Sequence, residues 1–113
     1  QMSYIQANIT GGEDANAVAL TLTGVFSADD EKEMFLGLRT CNDLNYNLLQ
    51  VKLYIDSDSD LIIASEFFYQ TPDDMEYLLN MSLQSVIVAK RRFTQKYREL
   101  EEEAKLISEL EQE

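Results

Sequence analysis

Apolar and polar residues alternate from Tyr4 to Thr10, with Ile5, Ala7 and Ile9 on one side and Gln6, Asn8 and Thr10 on the other. A period of two marks a half-buried strand, because successive side chains of an extended chain point to opposite faces. Gly11-Gly12-Glu13-Asp14-Ala15-Asn16 breaks the pattern with turn formers. From Ala17 to Phe26 the alternation resumes, with Val18, Leu20, Leu22 and Phe26 in step and Thr21 and Thr23 opposite. Two strands joined by six turn residues predict a hairpin.

Ser27-Ala28-Asp29-Asp30-Glu31 predicts a helix start. Ser27 is placed to cap, Asp30 stands at the capping-box position, and the acids suit the positive end of the helix dipole. Met34, Phe35, Leu38, Cys41 and Leu44 recur at steps of three or four, which predicts a helix over 28–46 closed by Asn45-Tyr46-Asn47. Leu49, Val51, Leu53 and Ile55 then alternate with Gln50, Lys52, Tyr54 and Asp56, giving a third strand. Asp56-Ser57-Asp58-Ser59-Asp60 reads as a turn. Leu61 to Tyr69 is apolar on both faces and predicts a central strand or one covered on both sides.

Thr71-Pro72-Asp73-Asp74 predicts the start of a second helix, with Thr71 as N-cap and Pro72 at the first helical position. No glycine or further proline interrupts the chain from there to Glu113. A helix of about 40 residues would reach roughly 60 Å. A domain of about 100 residues has a radius of gyration near ~13 Å, so the helix should outlast the body it packs on. Its second half narrows to Phe93, Tyr97, Leu100, Ala104 and Ile107, an a/d spacing sustained for only about two heptads. The order is β-β-α-β-β-α. The expected class is α+β: one domain over 1–113, with two β-hairpins forming an antiparallel four-stranded sheet, helices laid against it, and 100–113 as a helical extension.

Composition narrows the chemistry. The chain of 113 residues has no histidine, which removes the commonest general acid–base and transition-metal ligand and excludes Ser–His and Cys–His nucleophile pairs. Its net charge of −12, from 21 acids against 9 bases, repels nucleic-acid phosphates and anionic membrane surfaces. No apolar run is long enough to span a bilayer. Cys41 has no second cysteine to pair with, so it reads as a reduced, partly buried apolar residue, and a reducing cytoplasmic setting is expected.

Asp56-x-Asp58-x-Asp60 resembles the first half of an EF-hand loop. Leu61 and Phe67 stand where that loop needs Gly and Glu, so a solvated turn is the better reading. The four glycines form no phosphate-binding pattern. Lys90-Arg91-Arg92, Lys96 and Arg98 hold five of the nine bases, and Glu99, Glu101, Glu102 and Glu103 follow at helical spacing. A salt-bridged, solvated helix face is expected there, the alternative being an electrostatic docking strip for an acidic partner or for an antiparallel copy of the same helix. Glu66 interrupts an apolar strand and is either an ordinary polar-face residue or an interface carboxylate. Tyr46, Tyr54, Phe67, Phe68 and Tyr69 gather around the second hairpin. Consecutive aromatics on a strand point to opposite faces, so some of them fall on the second face of the sheet, which is an interaction surface if no helix covers it.

At Cys41-Asn42-Asp43-Leu44-Asn45 the chain resembles the YbjN-like family, described as bacterial sensory transduction regulators. A helix ending in Asn-x-x-Asn, then a strand with Tyr54-Ile55-Asp56, an acidic turn, a strand opening at Asp60-Leu61 and a long helix carry the resemblance over residues 17–100. It implies a fold similar to type III secretion chaperones, which are small, acidic, often dimeric and not enzymes. Members commonly begin with another helix, so the resemblance implies that an N-terminal helix is missing here. It offers no catalytic residue. Asn42 and Asn45 match its most recognisable positions and are expected to satisfy backbone groups where helix turns into strand.

These readings converge on a non-catalytic domain without cofactor or metal. It would bind a protein, as a regulator or chaperone, and act as a homodimer through the sheet face or the long helix. The candidate contact residues are Tyr54, Glu66, Phe68, Phe93, Tyr97 and Leu100. The alternative is a small-molecule or ion sensor with a pocket between sheet and helix, lined by aromatics and Glu66.

Overall fold

A computed structural model of the protein describes residues 3–10 and 16–112. The first hairpin's turn, expected at 11–16, lies outside these except for Asn16. The elements run β1 (Tyr4–Thr10), β2 (Ala17–Thr23), α1 (Glu31–Asn47), β3 (Lys52–Ile55), β4 (Leu61–Phe68) and α2 (Pro72–Glu111). This is the expected α+β order. The four strands form one antiparallel sheet in the order β1-β2-β4-β3, so β1 and β3 are its edges and β4 is central.

Alternation sets the faces. Val18, Leu20 and Leu22 of β2 stand beside Phe67, Ser65 and Ile63 of β4 in register. Together with Leu61 and Leu53 this set is turned towards the helices. The core joins Leu20, Leu22, Leu53, Leu61 and Ile63 to Cys41 and Leu44 of α1 and to Val86, Ala89 and Phe93 of α2. Burying each large apolar side chain contributes about 1.5–3 kcal/mol before entropy is counted. One polar pair sits inside: the Ser65 hydroxyl donates to Ser82 Oγ at 3.0 Å, tying β4 to α2.

Three boundaries differ from expectation. Gly24 adopts φ 86, a left-handed conformation that suits glycine, and β2 ends at Thr23 instead of Phe26. The first helix begins at Glu31, not at residue 28. Asp30 is its N-cap, accepting from Glu33 N–H at 2.8 Å, while Glu33 accepts from Asp29 N–H at 2.8 Å. Ser27 does not cap. Its hydroxyl donates to Asp60 Oδ1 at 2.7 Å, and Leu61 N–H donates to Phe26 C=O at 2.9 Å. Residues 26–28 are thus tied to the distant 59–61 segment and cannot coil. The third strand begins at Lys52, because Gln50 at φ 65 turns the chain and leaves Leu49 exposed.

The second helix starts as expected, with Thr71 Oγ1 accepting from Asp74 N–H at 3.2 Å and Pro72 in the first turn. It also outlasts the body, since the molecule measures 64 × 25 × 24 Å.

Candidate protein-binding surface

Both helices lie on one face of the sheet, α1 over β3 and α2 over β4 and β2, packed against each other. Strand parity therefore turns Ile62, Ala64, Glu66 and Phe68 of β4, and Lys52 and Tyr54 of β3, to the other face. Among the described residues no helix covers that face. Phe68 is 74% exposed and Tyr54 43%. The small Ala17 and Ala19 of β2 leave a trough of about 270 Å³, bordered by Glu66, Phe68 and Asn8.

Of the sequence-derived contact residues, the structure thus gathers Tyr54, Glu66 and Phe68 on one open face. They do not touch. Tyr54 stands opposite Ile62, six residues along β4 from Phe68, a separation of roughly 20 Å. Between them Glu66 pairs with Lys52, whose ammonium also lies 5.9 Å from the Tyr54 ring centroid. The hydrogen bond to Glu66, and then its charge, raise the Lys52 pKa above the ordinary lysine value. Glu66 faces away from the helices, so it does not line the pocket expected between sheet and helix; a hollow of about 210 Å³ beside α2 is bordered instead by Val25, Phe26, Phe93 and Tyr97.

Phe93 and Leu100, expected as contact residues, are instead buried in the domain's own core, and Tyr97 is half-buried beside them. Phe93 and Leu100 are each 2% exposed. Phe93 and Tyr97 form an aromatic trio with Phe26, with centroid separations of 5.3, 4.9 and 5.9 Å. The apolar seam of α2 is spent inside its own domain as far as Leu100. Beyond it Leu106, Ile107 and Leu110 are exposed. Burial first, then the charges of Glu33, Glu101 and Asp30, raise the Tyr97 phenol above its ordinary value.

Asn45 does what was expected of it. Its side-chain amide donates to Leu53 C=O at 2.9 Å and its Oδ1 accepts from Leu53 N–H at 2.8 Å. A residue of α1 thereby closes the outer edge of β3. Asn42 departs from expectation. It is exposed on α1 and makes no side-chain bond to that junction among the described residues.

The acidic turn behaves as a turn. Asp56 Oδ1 accepts from the N–H groups of Asp58 and Asp60 at 2.9 and 3.0 Å, and Ser59 takes φ 67. The basic stretch of α2 was expected to pair with the glutamates that follow it. Its recorded pair instead crosses to α1: Lys96 lies 4.0 Å from Asp43, and nearby Arg39 of α1 lies 3.9 Å from Glu103. Half-exposed pairs of this kind contribute no more than about 1 kcal/mol. Cys41 is buried, and burial pushes its thiol up to about 11, which leaves it a poor nucleophile at neutral pH. Among the described residues no helix is long and apolar enough to cross a membrane.

The chain matches no family model, no curated protein and no solved structure.

Proposed function

We propose that this is a non-catalytic protein-binding domain, regulatory or chaperone-like in the manner the YbjN-like resemblance implies, working as a dimer in the cytoplasm without a cofactor. The observation that carries the reading is the uncovered sheet face. A four-stranded sheet with both helices on one side leaves two exposed aromatics, a charged pair between them and a trough on the other, a mixed surface open to a protein partner. The chemistry of the chain supports it, since no histidine is available for acid–base work and the lone thiol is buried and protonated. The cytoplasmic setting rests on that single reduced cysteine.

Affinity capture from the source organism, with Phe68→Glu and Tyr54→Glu as controls, tests the reading. A specific protein should be retained by the wild type and released by both variants, whose circular dichroism stays native. Equal retention by all three, or no partner together with a monomeric mass at every concentration, would sink it.

A further inference from the structure

We infer that two copies of this chain join through β1, pairing antiparallel about Ala7 to make one continuous eight-stranded sheet. The inference deepens the proposed function in a single respect, the dimer, and rests on that reading there.

The two sheet edges are built differently. An open edge offers unpaired N–H and C=O groups to any passing strand, and proteins guard against this with short strands, charges or a covering element. Strand β3 has all three: four residues, Lys52 at its start, and Asn45 bonded to both backbone groups of Leu53. Strand β1 has none. It runs seven residues, Tyr-Ile-Gln-Ala-Asn-Ile-Thr, without a charge or a proline. Its register with β2 is continuous from Tyr4 to Thr10, so no bulge twists the edge away. Among the described residues neither helix lies over it, and Ile5 and Ile9 on its helix-side face are 44% and 57% exposed.

A second copy fits this edge by symmetry. With a two-fold axis at Ala7, Ile5 stands opposite the second copy's Ile9, and Gln6 opposite its Asn8. Apolar thus meets apolar and amide meets amide, each pair twice, as a two-fold interface requires. Charge selects the same edge. On a molecule of net charge −12, an uncharged seven-residue strand brings no like charges into opposition. One strand pair is a small interface, below about 1,200 Å². The dimer should therefore be reversible in the micromolar range. Because the two bodies repel, it should tighten as salt rises.

Sedimentation of the full chain across concentration tests this. Ile5→Lys/Ile9→Lys sets lysine against lysine and should weaken association by at least about 100-fold. Ile5→Lys/Ile9→Glu sets lysine against glutamate only in the register centred on Ala7 and should restore it. Leu106→Glu/Leu110→Glu, on the exposed end of α2, should leave the dimer intact. Ala7→Cys should cross-link under mild oxidation, because directly opposed Cα atoms at about 4.5–5.5 Å lie within disulfide reach. The buried Cys41 does not compete. A dimer that survives the double lysine change, or is lost only with Leu106 and Leu110, overturns the β1 seam while the protein-binding reading stands. Failure of the lysine–glutamate variant to recover refutes the register. A monomer up to the highest soluble concentration removes the dimer altogether, and partner capture then decides the function separately.

Discussion

Asn45→Ala removes both bonds that α1 makes to the outer edge of β3. Each side-chain–backbone hydrogen bond contributes about 0.5–1.5 kcal/mol net. Leu53 is a core residue, so its amide and carbonyl are only partly rehydrated once the side chain is gone. The expected loss is about 2 kcal/mol, or roughly 8 °C in Tm for a chain of this size. Urea unfolding followed by far-UV circular dichroism measures it as a shift in midpoint at constant slope. Asn42→Ala is the internal control and should cost less than about 0.5 kcal/mol. Asn45→Asp separates the two bonds. The carboxylate still accepts from Leu53 N–H, but its second oxygen faces Leu53 C=O with no proton between them. Folding should therefore raise that carboxyl above its unfolded value of about 3.9. The favourable protonated form is complete below that value and is lost as pH rises through the folded one. The gap between variant and wild type should narrow towards pH 4 and widen towards 7. A loss below about 0.5 kcal/mol for Asn45→Ala, or an equal loss for Asn42→Ala, would refute the clamp.

The Ser65–Ser82 pair predicts strong non-additivity. Either serine changed to alanine strands a buried hydroxyl at about 1–3 kcal/mol, whereas the double change is close to neutral by denaturant unfolding. Gly37→Ala should destabilise by about 1 kcal/mol despite alanine's better helix propensity. The new Cβ would meet Ile55 Cδ1 at 2.8 Å and the Phe26 ring at 2.9 Å, and that ring is held against Phe93 and Tyr97. Cys41 should resist alkylation at pH 8 in the native protein and react fully in denaturant. Its folded thiol sits at about 11 against 9.0 unfolded, so the stability from its neutral form is whole below 9.0 and falls as pH rises towards 11.

How far the sequence reads the structure depends on the range of each cause. The strands and the start of α2 are local: period two, a Thr-Pro pair and first-turn acids act within a few residues. The start of α1 is not. Ser27 and Asp30 are both competent caps, and what decides between them is the bonding of residues 26–28 to the 59–61 segment, some thirty positions on. The Phe93–Leu100 spacing was equally ambiguous. Its 4-3 rhythm shows that one stripe of the helix is buried but not by what, and here Phe26 packs on Phe93 and Tyr97. For Glu66 and Phe68 the alternation gives a shared face. It does not say which face the helices take, because β4 is apolar on both.

The two exposed surfaces differ in a way that bears on what each can hold. The open sheet face is interrupted at its middle by the Glu66–Lys52 pair, so its apolar parts, around Tyr54 and around Phe68, stay apart. Permanent interfaces have continuous apolar centres depleted in charge, and this face lacks one. Under the proposed function it would hold a partner that brings polar groups of its own and leaves again. The β1 edge has no charge to satisfy and offers backbone groups in an order that its own copy reproduces. Pairing there extends the sheet sideways and leaves Tyr54 and Phe68 uncovered. A dimer through β1 would therefore present two open faces side by side, and binding at one surface would not compete with assembly at the other. The combination makes a quantitative demand. Partner affinity should be higher per complex in the dimer than in the Ile5→Lys/Ile9→Lys monomer when the partner offers two sites, and equal when it offers one.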